Sequence, residues 1–394
     1  MAEPARVVIV GAGLAGLRVA EELRARDYRG SITLIGAEDR PPYDRPPLSK
    51  KVMIGELDDT SLRADMDSLG TDLRLAERAV ELGAGVLRTD QAEYAWDALV
   101  LAMGANPVTL AGSGPQHVLR TLDDALKIRA VLTPGTTLAI VGAGWIGAEL
   151  ATAAARRGCH VTVLEAASTP LASAVGADIG RVTIPWYAEA GVELRLNENV
   201  AAIEPGGIAL AGGGWVSADL IVTAVGVRPA VSWLTGSEVR LDNGIAADGQ
   251  LRTSVPNVFA AGDCASFWSA RYQRQLRFEH WDVALHAPEV VAANVLGGST
   301  EYDPVPYFWS EQFGRMVQYV GFHGGADRLI WRGRPTDAKW AACWLAGDRL
   351  VATLTVGLPR DLIQARRLME AGGLVDPAKL ADAGIAVRDS AIAG

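Results

Sequence analysis

Hydrophobic and polar positions along the chain fall twice into the same order. Residues 6–38 read RVVIVGAGLAGLRVAEELRARDYRGSITLIGAE, and residues 138–165 read LAIVGAGWIGAELATAAARRGCHVTVLE. Each copy begins with an unbroken aliphatic run, the pattern of a strand buried on both faces of a parallel sheet. A glycine-rich turn follows, and then a stretch of alanine, leucine, glutamate and arginine whose apolar positions return at helical spacing. A second apolar run closes each copy on an acid, Glu38 or Glu165. The pattern therefore predicts two β-α-β units.

The glycines sit where a dinucleotide would require them. Gly11 and Gly142 permit the tight turn, Gly13 and Gly144 let the backbone approach a pyrophosphate, and Gly16 and Gly147 let helix pack on strand. The helix N-termini, Leu14-Ala15 and Trp145-Ile146, are then placed to hold phosphate. From the third glycine to the closing acid there are 22 residues in the first copy and 18 in the second, on either side of the roughly 20 expected for an acid that meets a ribose hydroxyl. Two bound dinucleotides are expected.

Further apolar strands end in glycine at ALVLAMG (98–104) and LIVTAVG (220–226), and TSVPNVFAAGDCA (253–265) reads as a short strand ending in Gly262-Asp263. Near the C-terminus, ATLTVGLPRDLIQARRLMEAGG reads strand, turn, helix, with the helix stopping at Gly372-Gly373.

Composition narrows the class. At 394 residues the chain is long enough for two or three domains. About half of it is apolar and its mean hydropathy is +0.15, so a membrane span has to be considered. The longest uncharged run, 98–119, contains Asn106, Pro107 and Gln116 and does not read as a spanning helix. The opening MAEPARVVIVGAG runs straight into the glycine turn without a signal-like core, so a cytoplasmic protein without membrane partners is expected. A net charge of −9 argues against nucleic-acid binding. The three cysteines, Cys159, Cys264 and Cys343, form neither a CxxC pair nor a metal-ligand spacing, so no metal site is expected. Glu165 is followed by Ala166, Ala167, Ser168, Thr169 and Pro170, with no arginine to meet a 2′-phosphate, which favours NADH over NADPH.

Four further segments, PYDRPPLSK (42–50), LRT (119–121), EHW (279–281) and PYFWSEQFG (306–314), stand with the glycine motifs in the right order over nearly the whole chain. In these the sequence resembles the ferredoxin reductases of bacterial oxygenase systems, the group containing putidaredoxin and rubredoxin reductases. The resemblance implies an α/β fold with two Rossmann-like domains, for FAD and NAD, plus a C-terminal α+β domain. It divides the chain into an FAD-binding part at 1–111, an inserted NAD-binding domain at 112–231, a second FAD-binding part at 232–308 and a C-terminal domain at 309–394.

It also implies roles. FAD would lie on the first glycine turn with Glu38, and Asp263, beside Gly262, would bond its ribityl chain. Arg45, Pro46, Val80, the Ala102-Met103-Gly104 crossover, Arg120 and the Glu279-His280-Trp281 segment would complete that site. The second turn would hold NADH, with Glu165, Val225 and Gly226. Lys50 would stand beside the flavin, where a cation stabilises its electron-rich reduced form, and Glu149 would pair with Lys50 near the nicotinamide. Read without the resemblance, Lys50 is a solvated cation and Glu149 an exposed helix residue.

Without a redox cysteine pair, electrons must leave the flavin directly, and the resemblance implies that they pass one at a time to a small acidic ferredoxin, 2Fe–2S in type, that feeds an oxygenase. The alternatives are an NADH oxidase or quinone-type reductase and a redox-gated interaction protein. Arg271, Arg274 and Arg277 form a basic stretch expected to lie at the flavin's rim. The sequence departs from the family pattern at Trp145, Val283-Ala284, Ala287-Pro288 and Gly357-Leu358-Pro359, departures expected toward the acceptor side and the flavin's helix contact.

Overall fold

In a computed structural model, which describes residues 3–64 and 66–392, the first aliphatic run forms the strand Arg6–Val10 at the centre of a five-stranded sheet. The strand order is Val258–Ala260, Ala98–Leu101, Arg6–Val10, Ser31–Ile35, Thr71–Arg74, and all neighbours are parallel. Val7, Val8, Ile9 and Val10 are buried, as a strand covered on both faces requires. Thr71–Arg74 lies at the edge and alternates in exposure. The helix Leu14–Ala25 packs against the helix Trp281–Val295.

These elements belong to one of two compact units, made of Met1–Asp44, Thr60–Asn106 and Arg228–Pro304. It also contains an antiparallel meander at Ala79–Gly83, Val86–Thr89 and Glu93–Ala95, and a small sheet of Ile245–Ala247, Ala265–Ser269 and Arg274–Leu276.

The other unit comprises Arg45–Asp59, Pro107–Val227 and Val305–Gly394. The second β-α-β repeat forms a four-stranded parallel sheet in it, ordered Glu193–Leu196, His160–Glu165, Thr137–Val141, Leu220–Thr223. The C-terminal region is antiparallel, ordered Tyr307–Gln312, Arg315–Gly321, Arg349–Val356, Trp340–Ala346, Arg328–Arg332. One face packs on the helix Pro359–Glu370 through Val320, Cys343, Leu345, Leu362, Ala365 and Met369. Burial of that face supplies the drive to fold.

The PPLSK segment joins this second unit. Arg129 donates to the carbonyls of Val52 and Leu57 and pairs with Asp58 at 2.7 Å, fixing the loop to the helix Leu122–Val131. The segment thus belongs to the second unit, whereas the first glycine turn belongs to the first.

The departures from the family pattern have local explanations. Val283, Ala287 and Pro288 lie on the buried side of the Trp281–Val295 helix, so they are packing positions rather than surface ones. Gly357 has φ +66°, and Pro359 begins the following helix, where its missing N–H has no intrahelical partner to lose. Among the described residues no helix is long and apolar enough to cross a membrane.

Candidate active site

In the first unit the three glycines of the first turn have different surroundings. A Cβ on Gly11 would lie 2.2 Å from the Ala102 carbonyl oxygen, and one on Gly16 would lie 2.0 Å from that of Gly11. A Cβ on Gly13 would meet no protein atom within 4 Å. Two glycines thus serve packing while the third faces open space at the helix start. That is the cradle a pyrophosphate needs.

Strand ends converge on this cradle. The Ala102 N–H donates to the Val10 carbonyl at 2.7 Å and the Ala261 N–H to that of Leu101 at 3.0 Å. Met103 and Gly104, the latter at φ +70°, follow directly. Gly262, at φ +71°, brings the Gly262-Asp263 turn so close that a Cβ there would lie 3.2 Å from that of Ala15. Behind it Cys264 is buried, and burial pushes its thiol up to about 11.

Around the cradle, Glu38 accepts a hydrogen bond from the Tyr43 hydroxyl at 2.6 Å. Val80 is 39% exposed, a large apolar side chain open to a ligand. The Trp281 indole N–H donates to Asp44 Oδ1 at 2.7 Å. Burial raises the Asp44 carboxyl above its ordinary value, and this bond opposes the rise. His280 is pulled down to about 4 by burial, against the attraction of Asp263, and is neutral at pH 7.

The basic stretch forms part of a hairpin whose strands are Ala265–Ser269 and Arg274–Leu276. Arg271 and Arg274 are exposed. Arg277 departs from the expectation of a rim cation: it pairs with Glu279 at 2.6 Å and donates to the Asp263 carbonyl at 3.2 Å, so its charge is spent within the unit.

In the second unit the second turn has the same build. A Cβ on Gly142 would lie 2.4 Å from the Ala224 carbonyl oxygen, one on Gly147 would lie 2.0 Å from that of Gly142, and one on Gly144 would meet nothing within 4 Å. Glu165 Oε2 accepts the Ala143 N–H at 2.7 Å and Oε1 the Ala167 N–H at 2.8 Å. The acid is thereby fixed to the turn it serves, with lone pairs left for ribose hydroxyls. Ile146 and Val225 are exposed apolar residues beside it, and Gly226 has φ +108°. The Trp145 ring meets that of Phe308 at 4.8 Å.

The same unit holds the Lys50 segment. Pro46–Ser49 forms a single 3-10 turn with proline at its start, where the fixed φ suits the geometry. Arg45 donates to the Arg120 carbonyl at 2.7 Å. Thr121 caps the next helix: its hydroxyl accepts the Asp124 N–H at 3.1 Å and the Asp124 carboxylate accepts the Thr121 N–H at 2.9 Å. The LRT motif is thus a capping box that presents the Arg120 carbonyl to Arg45.

Lys50 Nζ lies 2.7 Å from Glu149 Oε2, with side-chain exposures of 16% and 3%. The pair opens onto a cleft lined also by Lys51, Thr152, Arg156 and Met316. Removing one member of a buried pair strands the other charge, at a cost of about 3–5 kcal/mol.

Sequence reasoning missed several partners. Ser49 and Ser310 both donate to Glu149, Tyr43 anchors Glu38, and Asp44 anchors the Trp281 indole. Ser49, Tyr43, Asp44 and Ser310 all lie within motifs that were visible. The one signal for Ser310 is that it alternates with Gln312 along the strand Tyr307–Gln312, where both are buried and the intervening Glu311 is exposed.

The chain matches the pyridine nucleotide-disulphide oxidoreductase family over residues 5–287 and the reductase C-terminal family over residues 307–391. It is 37% identical to the ferredoxin–NAD(+) reductase component of the anthranilate 1,2-dioxygenase system of Burkholderia cepacia, over 97% of this chain and 98% of that protein. The crystal structure of Fdr9 superposes with a TM-score of 0.94 at 46% identity, covering 97% of this chain and 99% of the other. The reductase in the covalent putidaredoxin reductase–putidaredoxin complex superposes with the same TM-score at 30% identity, covering 98% of this chain and 97% of the other.

Proposed function

Because the chain belongs to the pyridine nucleotide-disulphide oxidoreductase family, in the branch of the ferredoxin reductases, we propose that it is an NADH-dependent flavoenzyme that reduces a small acidic 2Fe–2S ferredoxin serving an oxygenase. The observation that carries this reading is the presence of two open glycine cradles on a chain whose three cysteines are all free and buried. Burial pushes the Cys264 and Cys343 thiols up to about 11, so neither is a ready thiolate, and a dithiol relay has no members.

When bound, FAD would supply the redox chemistry, coupling two-electron hydride oxidation of NADH to one-electron reduction of the acceptor. The residues divide the remaining work. The first cradle, with Glu38, Val80, Ala102–Gly104, Asp263 and the 279–281 segment, together with Arg45, Pro46, Lys50 and Arg120, holds the flavin. The second, with Trp145, Ile146, Val225 and Gly226, takes the nicotinamide nucleotide, and Glu165 accepts its ribose hydroxyls and repels a 2′-phosphate. Lys50, balanced by Glu149, sets the local charge for the reduced flavin. We assign 1–111 and 232–308 to the FAD domain, 112–231 to the inserted NAD domain and 309–394 to the C-terminal domain, and the protein to the cytoplasm.

The test is stopped-flow reoxidation of the NADH-reduced holoprotein against a panel of small iron–sulfur proteins. Fast reoxidation by a ferredoxin and slow reoxidation by oxygen support the reading; the reverse order identifies an oxidase. Arg271 and Arg274 supply a surface to probe, since exposed cations steer acidic partners. Replacing both with glutamate should slow ferredoxin reduction severalfold at low salt, leave ferricyanide turnover intact, and matter less once salt screens charges beyond about 8 Å. Equal ferredoxin rates at low salt would move the docking surface elsewhere.

A further inference from the structure

We propose that Ser49 and Ser310 are positioning residues for the flavin-side ion pair: together they fix Glu149, and through it the charge balance of Lys50. The inference rests on the reading of Lys50 and Glu149 given above.

The argument begins with a burial problem. The Glu149 carboxylate is 3% exposed, and a buried carboxylate must be met by donors or lose its charge. It meets three. Oε2 accepts from Lys50 Nζ at 2.7 Å and from the Ser49 hydroxyl at 2.5 Å, and Oε1 accepts from the Ser310 hydroxyl at 2.6 Å. The donors come from two segments far apart in sequence, the Pro46–Ser49 turn with Lys50 directly after it and the Tyr307–Gln312 strand.

An ion pair alone would not fix the carboxylate. The last torsion of a glutamate is broad, so either oxygen is able to face the ammonium and the contact is free to lengthen. Donors on both oxygens remove that freedom. Lys50 has little else to hold it, since its other hydrogen bond, to the Pro46 carbonyl, is 3.3 Å long.

Ser310 is itself oriented. Its oxygen accepts from Gln312 Nε2 at 3.1 Å, which directs its single hydrogen to Glu149. Ser310 and Gln312 are at most 1% exposed, so bulk water does not compete. The field that Lys50 exerts thus depends on a hydroxyl of the C-terminal strand. Without that hydroxyl the carboxylate turns away from the ammonium, leaving the cation less neutralised and reduced flavin more favoured.

The test measures the flavin midpoint potential of FAD-loaded holoprotein by reductive titration against a reference dye, which requires neither nucleotide nor ferredoxin. Ser310→Ala should move the potential in the positive direction, as Glu149→Gln does, while Ser310→Thr, which keeps the hydroxyl, should stay at the wild-type value. The double variant S310A/E149Q should move no further than E149Q alone, because both changes act through one carboxylate. Ser49→Ala should give a smaller positive shift that is also absent in the E149Q background, and this arm stands even if S310A does not fold. A wild-type potential in flavin-loaded S310A, or a shift that adds in full to that of E149Q, would overturn the proposal. Failure of the parent reading is separate: E149Q itself would leave the potential unmoved, or the wild-type holoprotein would not be reduced by NADH.

Discussion

The two glycine turns share one build and differ in how each is closed. In the first, the Gly262 turn presses onto the helix start, with its Cβ position 3.2 Å from that of Ala15. In the second, the neighbouring Gly226 has open space around its Cβ position, and Val225 and Ile146 stand exposed. At the first turn a second loop of the same unit lies against the helix start, and at the second Gly226 leaves the space beside it open. That difference fits a prosthetic group on one and an exchanging co-substrate on the other. The acids differ as well. Glu165 is fixed by two backbone N–H groups, whereas Glu38 is anchored by the Tyr43 side chain.

The largest effect should come from testing which glycines serve packing. Gly11→Ala places a Cβ 2.2 Å from a carbonyl oxygen at φ +112°, combining overlap with a left-handed backbone, and should cost more than about 3 kcal/mol or abolish soluble holoprotein. Gly13→Ala meets open space and should leave apoprotein melting unchanged while lowering flavin content. Equal melting losses for the two would break the comparison. Next in size, Glu165→Ala should lower the NADH-to-NADPH ratio of kcat/KM at least about tenfold, or roughly 1.4 kcal/mol, because the ribose acceptor and the repulsive charge leave together. An unchanged ratio would remove Glu165 from nucleotide selection.

Both turns were legible in the sequence because glycine at these positions is demanded by the backbone itself, and the strand and helix periods around them agreed. Lys50 and Glu149 were legible only through the resemblance, since a lysine in a proline-rich loop and a glutamate on a helix carry no periodicity that brings them together. Ser49 and Ser310 were not legible as site residues. Their role arises from burial beside a carboxylate brought in from elsewhere in the chain, and burial of a small hydroxyl leaves no compositional sign. Arg277 shows the opposite failure: three arginines with no acid until Glu279 read as a basic face, yet that acid is the one Arg277 meets at 2.6 Å. Spacing in sequence gave the charges without the folded pairing.

The smallest effect bears on the anchoring of Glu38. Tyr43 is 5% exposed, so Tyr43→Phe keeps the packed ring and removes only the hydroxyl that donates to Glu38 at 2.6 Å. One hydrogen bond to a charged group is lost, but Glu38 has further interactions and a ribose hydroxyl would satisfy part of what the phenol gave. The net change should therefore stay near 1 kcal/mol, about a fivefold faster loss or weaker retention of FAD, measured by dilution and flavin fluorescence. The KM for NADH should not move, because Glu165 takes its orientation from backbone. If Tyr43→Phe instead strips the flavin completely, Glu38 depends on the phenol alone; if it shifts NADH affinity, the two acids are coupled and the contrast between side-chain and backbone anchoring fails.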